Sequence, residues 1–280
     1  MMQIIQNWLS ELQAYDLLNA LGFVALLVVN LCLLPEKRRL YSAPLARLAP
    51  LPSGGHPDSP AEKKRKRTAV AETILLSCVQ FFSGMLMNAL VGYLQKGSCS
   101  YNYFGFAVLA PWIFLLVCFV IRVDPFGHLD LYTPSYAASL VLFKLACFHA
   151  GCCGGIRTDR IYRYPMGTMQ NFPTQLLEAA VALALFFFLL WYRKRAKPGT
   201  MQPIYLILYS GTRFCTEFLR VESPVFLCFR AYHFFCLAGF LIGLAEYFLL
   251  TARNGRIPAE ITKRVKMGKR GKPRSAAIRR

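Results

Sequence analysis

Acidic residues are scarce in this chain: 14 Asp and Glu stand against 33 Lys and Arg in 280 residues, a formal net charge of +19. The sequence also lacks an alternating strand pattern, an internal repeat, a C-x-x-C pair and a second ligand pair at zinc spacing. Without a repeat, a transporter built from duplicated halves has no support. Without the cysteine pairs, neither does a zinc module or a thioredoxin-like centre. Met1 to Ser10 holds no cation, and no small-residue cleavage site follows the first apolar stretch, so that stretch is expected to be retained rather than removed as a signal peptide.

Apolar residues are abundant. At 55% hydrophobic, 14% aromatic and a mean hydropathy of +0.38, the chain carries more apolar surface than one soluble core uses. Apolar runs of membrane-crossing length, about twenty residues, fall near 15–34, 73–94, 103–121, 174–192 and 225–250. Two more, 135–152 and 202–219, are interrupted by Lys144, His149, Arg213 and Glu217, with Arg220 at the edge. Backbone polar groups in lipid must be satisfied within their own segment. The expectation is therefore an all-α polytopic membrane protein of about seven transmembrane helices.

The cations cluster. Lys37, Arg38, Arg39, Arg47 and Lys63 to Arg67 lie in the first connector, Arg193, Lys194, Arg195 and Lys197 follow the fifth span, and 253–280 is densely basic. With the N-terminus outside, all three segments face the cytoplasm, as the positive-inside rule requires. This gives a seven-span membrane domain over 1–252, with a Pro-rich basic connector at 35–70, and a basic cytoplasmic tail over 253–280. Contact with anionic headgroups accounts for the tail's charge, so no nucleic-acid partner is expected.

Seven of the ten cysteines, Cys32, Cys78, Cys118, Cys147, Cys215, Cys228 and Cys236, fall in expected spans, where they read as small apolar residues. Cys99 lies in an outer loop, and Cys152 and Cys153 introduce the glycine turn Gly154-Gly155. That pair reads as tight packing rather than a nucleophile, redox pair or ligand set. No metal site and no cofactor are expected.

Charges within spans need a reason, since one at mid-bilayer costs about 2.5–3.5 kcal/mol even on insertion scales. Arg213, Glu217 and Arg220 share one helical stripe. They form either an internal ion pair or, with Lys144, an anion clamp whose guanidinium forks suit phosphate. The connector Gly151 to Thr174, with Arg157, Arg160 and Arg163, suits either an outer headgroup contact or an interfacial anchor. Thr174 is a candidate N-cap, with Gln175 and Glu178 on one face of the helix it starts.

The order Phe148-His149-Ala150-Gly151-Cys152-Cys153-Gly154-Gly155, then Phe172-Pro173-Thr174-Gln175-Leu176-Leu177-Glu178-Ala179, then Tyr209-Ser210-Gly211-Thr212-Arg213-Phe214-Cys215-Thr216-Glu217-Phe218-Leu219-Arg220 resembles the prolipoprotein diacylglyceryl transferase family. Tyr15 to Phe23 is more weakly similar to that family's first span. The resemblance implies a bacterial cytoplasmic membrane enzyme that moves the diacylglyceryl group of phosphatidylglycerol to the lipobox cysteine of preprolipoproteins. It assigns catalytic roles to Arg213, Lys144 and Glu217, and leaves His149 as a replacement base. Arg220, Gly151, Gly154, Gly155, Gln175, Glu178, Tyr15 and Arg157 become candidate phospholipid-binding residues. The chain departs from the pattern at Phe172, where the family has histidine, at Leu177, where it has tyrosine, and in lacking an H-G-G motif. A paralogue with another acceptor and a non-catalytic lipid-binding protein are the alternative readings.

Overall fold

The computed structural model describes residues 2–33, 60–96, 103, 105–164, 167–221, 226 and 228–270; for 2–15, 60–66, 95–96, 164, 167, 169 and 254–270 only the backbone is described. Most of the Pro-rich connector, Cys99 and the end of the basic tail lie outside the described residues.

Helices occupy every expected apolar segment. They are α1 (Met2–Cys32), α2 (Pro60–Lys96), α3 (Ala110–Val120), α4 (Pro125–His149), α5 (Thr174–Tyr192), α6 (Met201–Glu217) and α7 (Ala231–Arg270), with a π-helical segment, Gly105–Leu109, leading into α3. Among the described residues, four stretches are long and apolar enough to cross a membrane: 67–94, 125–149, 174–192 and 231–253. Asp16–Cys32 and Gly105–Val120 are shorter apolar helices. Their outward faces carry Phe82, Leu94, Leu116, Phe119, Phe187 and Leu249, all more than half exposed. Apolar patches on that scale need a nonaqueous surrounding, and the chain is a mostly helical protein fitted to a membrane.

Helix α4 is central, with α1, α3, α5 and α6 packed on it, and α7 packs on α6. Polar ties replace some of the hydrophobic drive that is missing between helices in lipid. Asn30 on α1 donates to Ser77 at 2.9 Å and Gln80 at 3.0 Å on α2, and Gln80 in turn donates to Ser135 on α4 at 3.0 Å. Asp130 on α4 accepts the Met201 N–H at 2.9 Å, satisfying a free donor at the start of α6 and setting that helix's height.

Several expectations are corrected. The connector after α4 is not purely irregular: β1 (Arg157–Tyr164) and β2 (Gly167–Asn171) form an antiparallel hairpin, with Tyr162 opposite Met169 and Tyr164 opposite Gly167. A long connector must pair its backbone groups somewhere, and β-favouring Ile161, Tyr162 and Tyr164 let it do so as a ladder. Residues 60–70, read as connector, are helical and continue into the second apolar segment; Ala, Glu, Lys and Arg all favour the helix. Cys228 precedes α7 instead of lying in it. Thr174 is not an N-cap: Pro173 holds that position, and the Thr174 hydroxyl donates to the Cys153 carbonyl at 2.9 Å.

Candidate functional site: a buried ionic cluster and a thiol turn

Five ionisable residues from three elements converge. Lys144 sits in the last turns of α4, Glu178 in the second turn of α5, Arg213 and Glu217 on α6, and Arg220 just beyond it. Glu178 is the hub. Arg213 Nη1 lies 3.1 Å and Arg220 Nη2 2.9 Å from Glu178 Oε1, and the Lys144 ammonium is paired with Oε2. Arg213 also pairs with Glu217 at 2.7 Å, one helical turn along. All five side chains are nearly or fully buried. Three cations against two carboxylates leave one positive charge in surplus.

Charges withdrawn this far from water persist only when paired. Arg213 is further held by Tyr232, whose ring centroid lies 5.4 Å from the guanidinium carbon. A groove between α4, α5 and α6 runs up to this cluster, lined by Leu140, Val181, Ala182, Leu185, Tyr209 and Thr212, and ending at Lys144, Glu178, Arg213 and Thr216. An apolar trough ending in a cationic knot suits a molecule with a hydrocarbon body and an anionic head.

The turn after α4 borders the cluster, and its shape follows from one glycine. Gly151 takes φ +64°, and the Gly151 N–H donates to Phe148 O and the Cys152 N–H to Cys147 O, both at 3.1 Å. This paired bonding is the Schellman helix ending, which brings the residue after the glycine against one near the end of the helix. Here those two residues are Cys152 and Cys147. Cys153 has φ +61°, unusual for a side chain, and turns its thiol back toward them. The Sγ atoms of Cys147, Cys152 and Cys153 all lie within 4.8 Å of one another. The Cys153 thiol also meets the Arg220 guanidinium. Hydrogen bonds from the Cys147 and Cys152 thiols, followed by the charges of Arg220 and Lys144, hold Cys153 far below the ordinary thiol range.

The turn is fastened on both sides. Gln175 donates its amide to the Cys152 carbonyl, and its own Oε1 is buried with no hydrogen-bond partner among the described residues. Gly155 donates to Phe172 O at 2.8 Å, and Ile156 to Leu219 O at 2.7 Å. A Cβ on Gly155 would lie 2.6 Å from Leu219 O, so this strand crossing requires glycine, whereas a Cβ on Gly154 would find its nearest neighbour at 3.4 Å.

Of the residues singled out from sequence, Lys144, Glu178, Arg213, Glu217 and Arg220 meet in one cluster, and Gly151, Gly154, Gly155 and Gln175 build the adjoining turn. His149 is the last residue of α4, half-buried. Arg157 is not part of the cluster: it is exposed on β1 and donates to Gln170 across the hairpin at 2.8 Å. The backbone of Tyr15 lies on α1, and its side chain is outside the described residues. His128 is buried in the first turn of α4, at the opposite end of that helix from Lys144, and is bonded to Glu72 at 2.9 Å. The meeting of Cys147 with Cys152 and Cys153 was not anticipated from sequence, where Cys147 read as a small apolar residue; a cysteine on each side of a helix-ending glycine, at the two positions a Schellman turn joins, was the available signal.

Residues 81–249, well over half the chain, match the sequence model of the prolipoprotein diacylglyceryl transferase family. Among curated proteins, the phosphatidylglycerol–prolipoprotein diacylglyceryl transferase of Clostridium tetani (strain Massachusetts / E88) is 37% identical over 109 residues, which is 35% of this chain and 42% of that protein. A second such transferase, from Clostridium perfringens (strain 13 / Type A), is 34% identical over 99 residues, 32% of this chain and 39% of that protein. The similarity thus spans about two fifths of these relatives' length.

Proposed function

This chain belongs to the prolipoprotein diacylglyceryl transferase family, and from that membership we propose that it transfers the diacylglyceryl group of phosphatidylglycerol to the lipobox cysteine thiol of preprolipoproteins. The observation that carries the proposal is the surplus-positive cluster of Lys144, Arg213 and Arg220 at one end of an apolar groove.

The acyl chains of the phospholipid lie along Leu140, Val181, Ala182 and Leu185, and the phosphate reaches the three cations. Its oxygens compete with the Glu178 carboxylate for the same donors. The acceptor thiolate attacks the glyceryl carbon, the carbon–oxygen bond to phosphate breaks, and glycerol phosphate leaves. A phosphodiester carries one negative charge, and the departing monoester gains most of a second. Cations fixed around the leaving oxygen therefore bind the transition state more tightly than the substrate. Arg213 and Lys144 act on the leaving phosphate, Glu217 holds Arg213 in place, and Arg220 binds the phosphate from the turn side. Gln175, with its unpartnered buried oxygen, accepts from a headgroup hydroxyl. Gly151, Gly154 and Gly155 let the turn approach the lipid, and His149, at the end of α4, takes the acceptor proton. Arg157, exposed on β1, meets the phospholipid headgroup outside the cluster, and Tyr15 is the remaining candidate phospholipid-binding residue.

The same reading places the protein in a bacterial cytoplasmic membrane with seven spans over 1–252, the N-terminus outside, and the 35–70 connector and 253–280 tail in the cytoplasm. No nucleic-acid partner is part of it.

The test is transfer from phosphatidylglycerol labelled in its diacylglyceryl part to a lipobox peptide by the purified protein. Labelling that requires the peptide cysteine and disappears in Arg213→Ala supports the proposal. A folded, lipid-binding protein that labels nothing overturns it in favour of a non-catalytic role, and labelling independent of the lipobox indicates another acceptor.

A further inference from the structure

We infer that Cys147, Cys152 and Cys153 form a three-thiolate site for a soft divalent cation of the zinc class, open at its fourth position to the acceptor thiol. The site itself stands on geometry; its fourth ligand rests on the transferase reading above.

Two thiolates on one tetrahedral zinc, each about 2.3 Å from the metal, lie roughly 3.8 Å apart. The three Sγ atoms here are already mutually within 4.8 Å, so a small side-chain adjustment closes the triangle. The backbone is shaped for this. The Schellman ending sets Cys152 on Cys147, and Cys153 adopts a left-handed conformation that is rare for a residue with a side chain. Thr174 and Gln175 fix the turn through the Cys153 and Cys152 carbonyls. Three thiolates around a divalent ion carry a net charge of −1, and the neighbouring Arg220 and Lys144 offset it, an outer-shell arrangement that supports thiolate ligands.

Cys152 and Cys153 are exposed while Cys147 is half-buried, so the protein supplies three ligands from below and leaves one side free. Three protein ligands with an open position are the pattern of a catalytic rather than a structural zinc. A thiol that coordinates such an ion is deprotonated on binding. This addresses the chain's missing H-G-G histidine. On coordination the acceptor S–H bond breaks and the proton passes to water or to His149. The sulfur–carbon bond to the glyceryl group then forms, and the carbon–oxygen electron pair leaves with glycerol phosphate. The ion keeps its oxidation state throughout.

The experiment uses full-length protein purified in detergent under reductant, freed of metal by a chelator and titrated with Co2+, whose thiolate charge-transfer and ligand-field bands report sulfur coordination. One cobalt per chain is expected, displaced by Zn2+. The band should be lost in Cys147→Ser, Cys152→Ser and Cys153→Ser and kept in Cys32→Ser, a substitution on the exposed face of α1. A lipobox peptide should shift the ligand-field bands, and its Cys→Ser counterpart should not. Absence of a thiolate band in protein with free thiols, or a band equal in the triple serine variant, overturns the site. A band that the peptide leaves unmoved overturns the fourth-ligand assignment. Full-rate transfer by metal-free protein overturns the catalytic metal and leaves lipid transfer standing, whereas metal binding without any transfer supports the site and removes the transferase reading.

Discussion

Glu178 and Arg213, 35 residues apart in sequence, meet at 3.1 Å beneath the surface of the helix bundle, and the same carboxylate also holds Lys144 and Arg220. One carboxylate thus pairs with three cations from two other helical segments, so its removal has consequences for folding as well as for lipid handling.

Replacing it as Glu178→Gln leaves three cations around a neutral amide, with Glu217 the one carboxylate of the cluster that remains among the described residues. Breaking a buried ion network from one side destabilises by about 3–5 kcal/mol. Thermal unfolding in detergent should show a large fall in midpoint, and Glu178→Gln combined with Lys144→Met should recover part of it. Equal stability of wild type and Glu178→Gln would show that the network is solvated.

Arg213→Lys keeps the positive charge but loses the planar fork that reaches Glu178 and Glu217 together. Loss of one oriented donor at a developing charge slows catalysis by about 10²–10³-fold. Transfer assays should show this in kcat, with protein that still elutes and melts like wild type. A change confined to KM would place Arg213 in ground-state binding alone.

The two adjacent glycines of the turn should respond differently. A methyl group at Gly155 would press on Leu219 O at 2.6 Å and Thr174 Cγ2 at 2.7 Å, so Gly155→Ala should cost about 1–3 kcal/mol as an overpacking change. Gly154→Ala meets nothing closer than 3.4 Å and should stay within about 0.5 kcal/mol of wild type. Paired melting curves check both, and equal effects would contradict the packing described at Gly155.

Gln80, fully buried, joins α1 to α4 through Asn30 and Ser135. Gln80→Leu removes one of the two acceptors of the Asn30 amide and the amide donor to the Ser135 hydroxyl, which keep Ser77 and the Tyr132 carbonyl, and a buried polar group left short of a partner costs about 1–3 kcal/mol. Unfolding by denaturing detergent should begin at lower concentration in this variant, and an unchanged midpoint would mean that water replaces the glutamine.

The proposed orientation rests on the distribution of cations. An impermeant maleimide on intact cells should label Arg160→Cys on the hairpin above background, and Lys197→Cys only after permeabilisation. The opposite pattern would invert the proposed topology.

The sequence by itself determined where helices form and that they face lipid, because runs of about twenty apolar residues admit few other solutions. It also determined which polar residues are out of place: Lys144, Arg213, Glu217 and Arg220 stand out because charge in such segments needs compensation. It left open whether Arg213, Glu217 and Arg220 only balance one another. That was decided by the tertiary structure, which set Glu178 of a different helix among them and made the cluster an inter-helix knot at the end of a groove. The hairpin after α4 was not legible because its pairing is a backbone event without a strong apolar alternation in either strand. Cys147 was hidden for a related reason. A cysteine in an apolar helix reads as packing, and only the left-handed turn at Gly151 and Cys153, which folds the chain back on the helix end, brings three thiols within reach of one another.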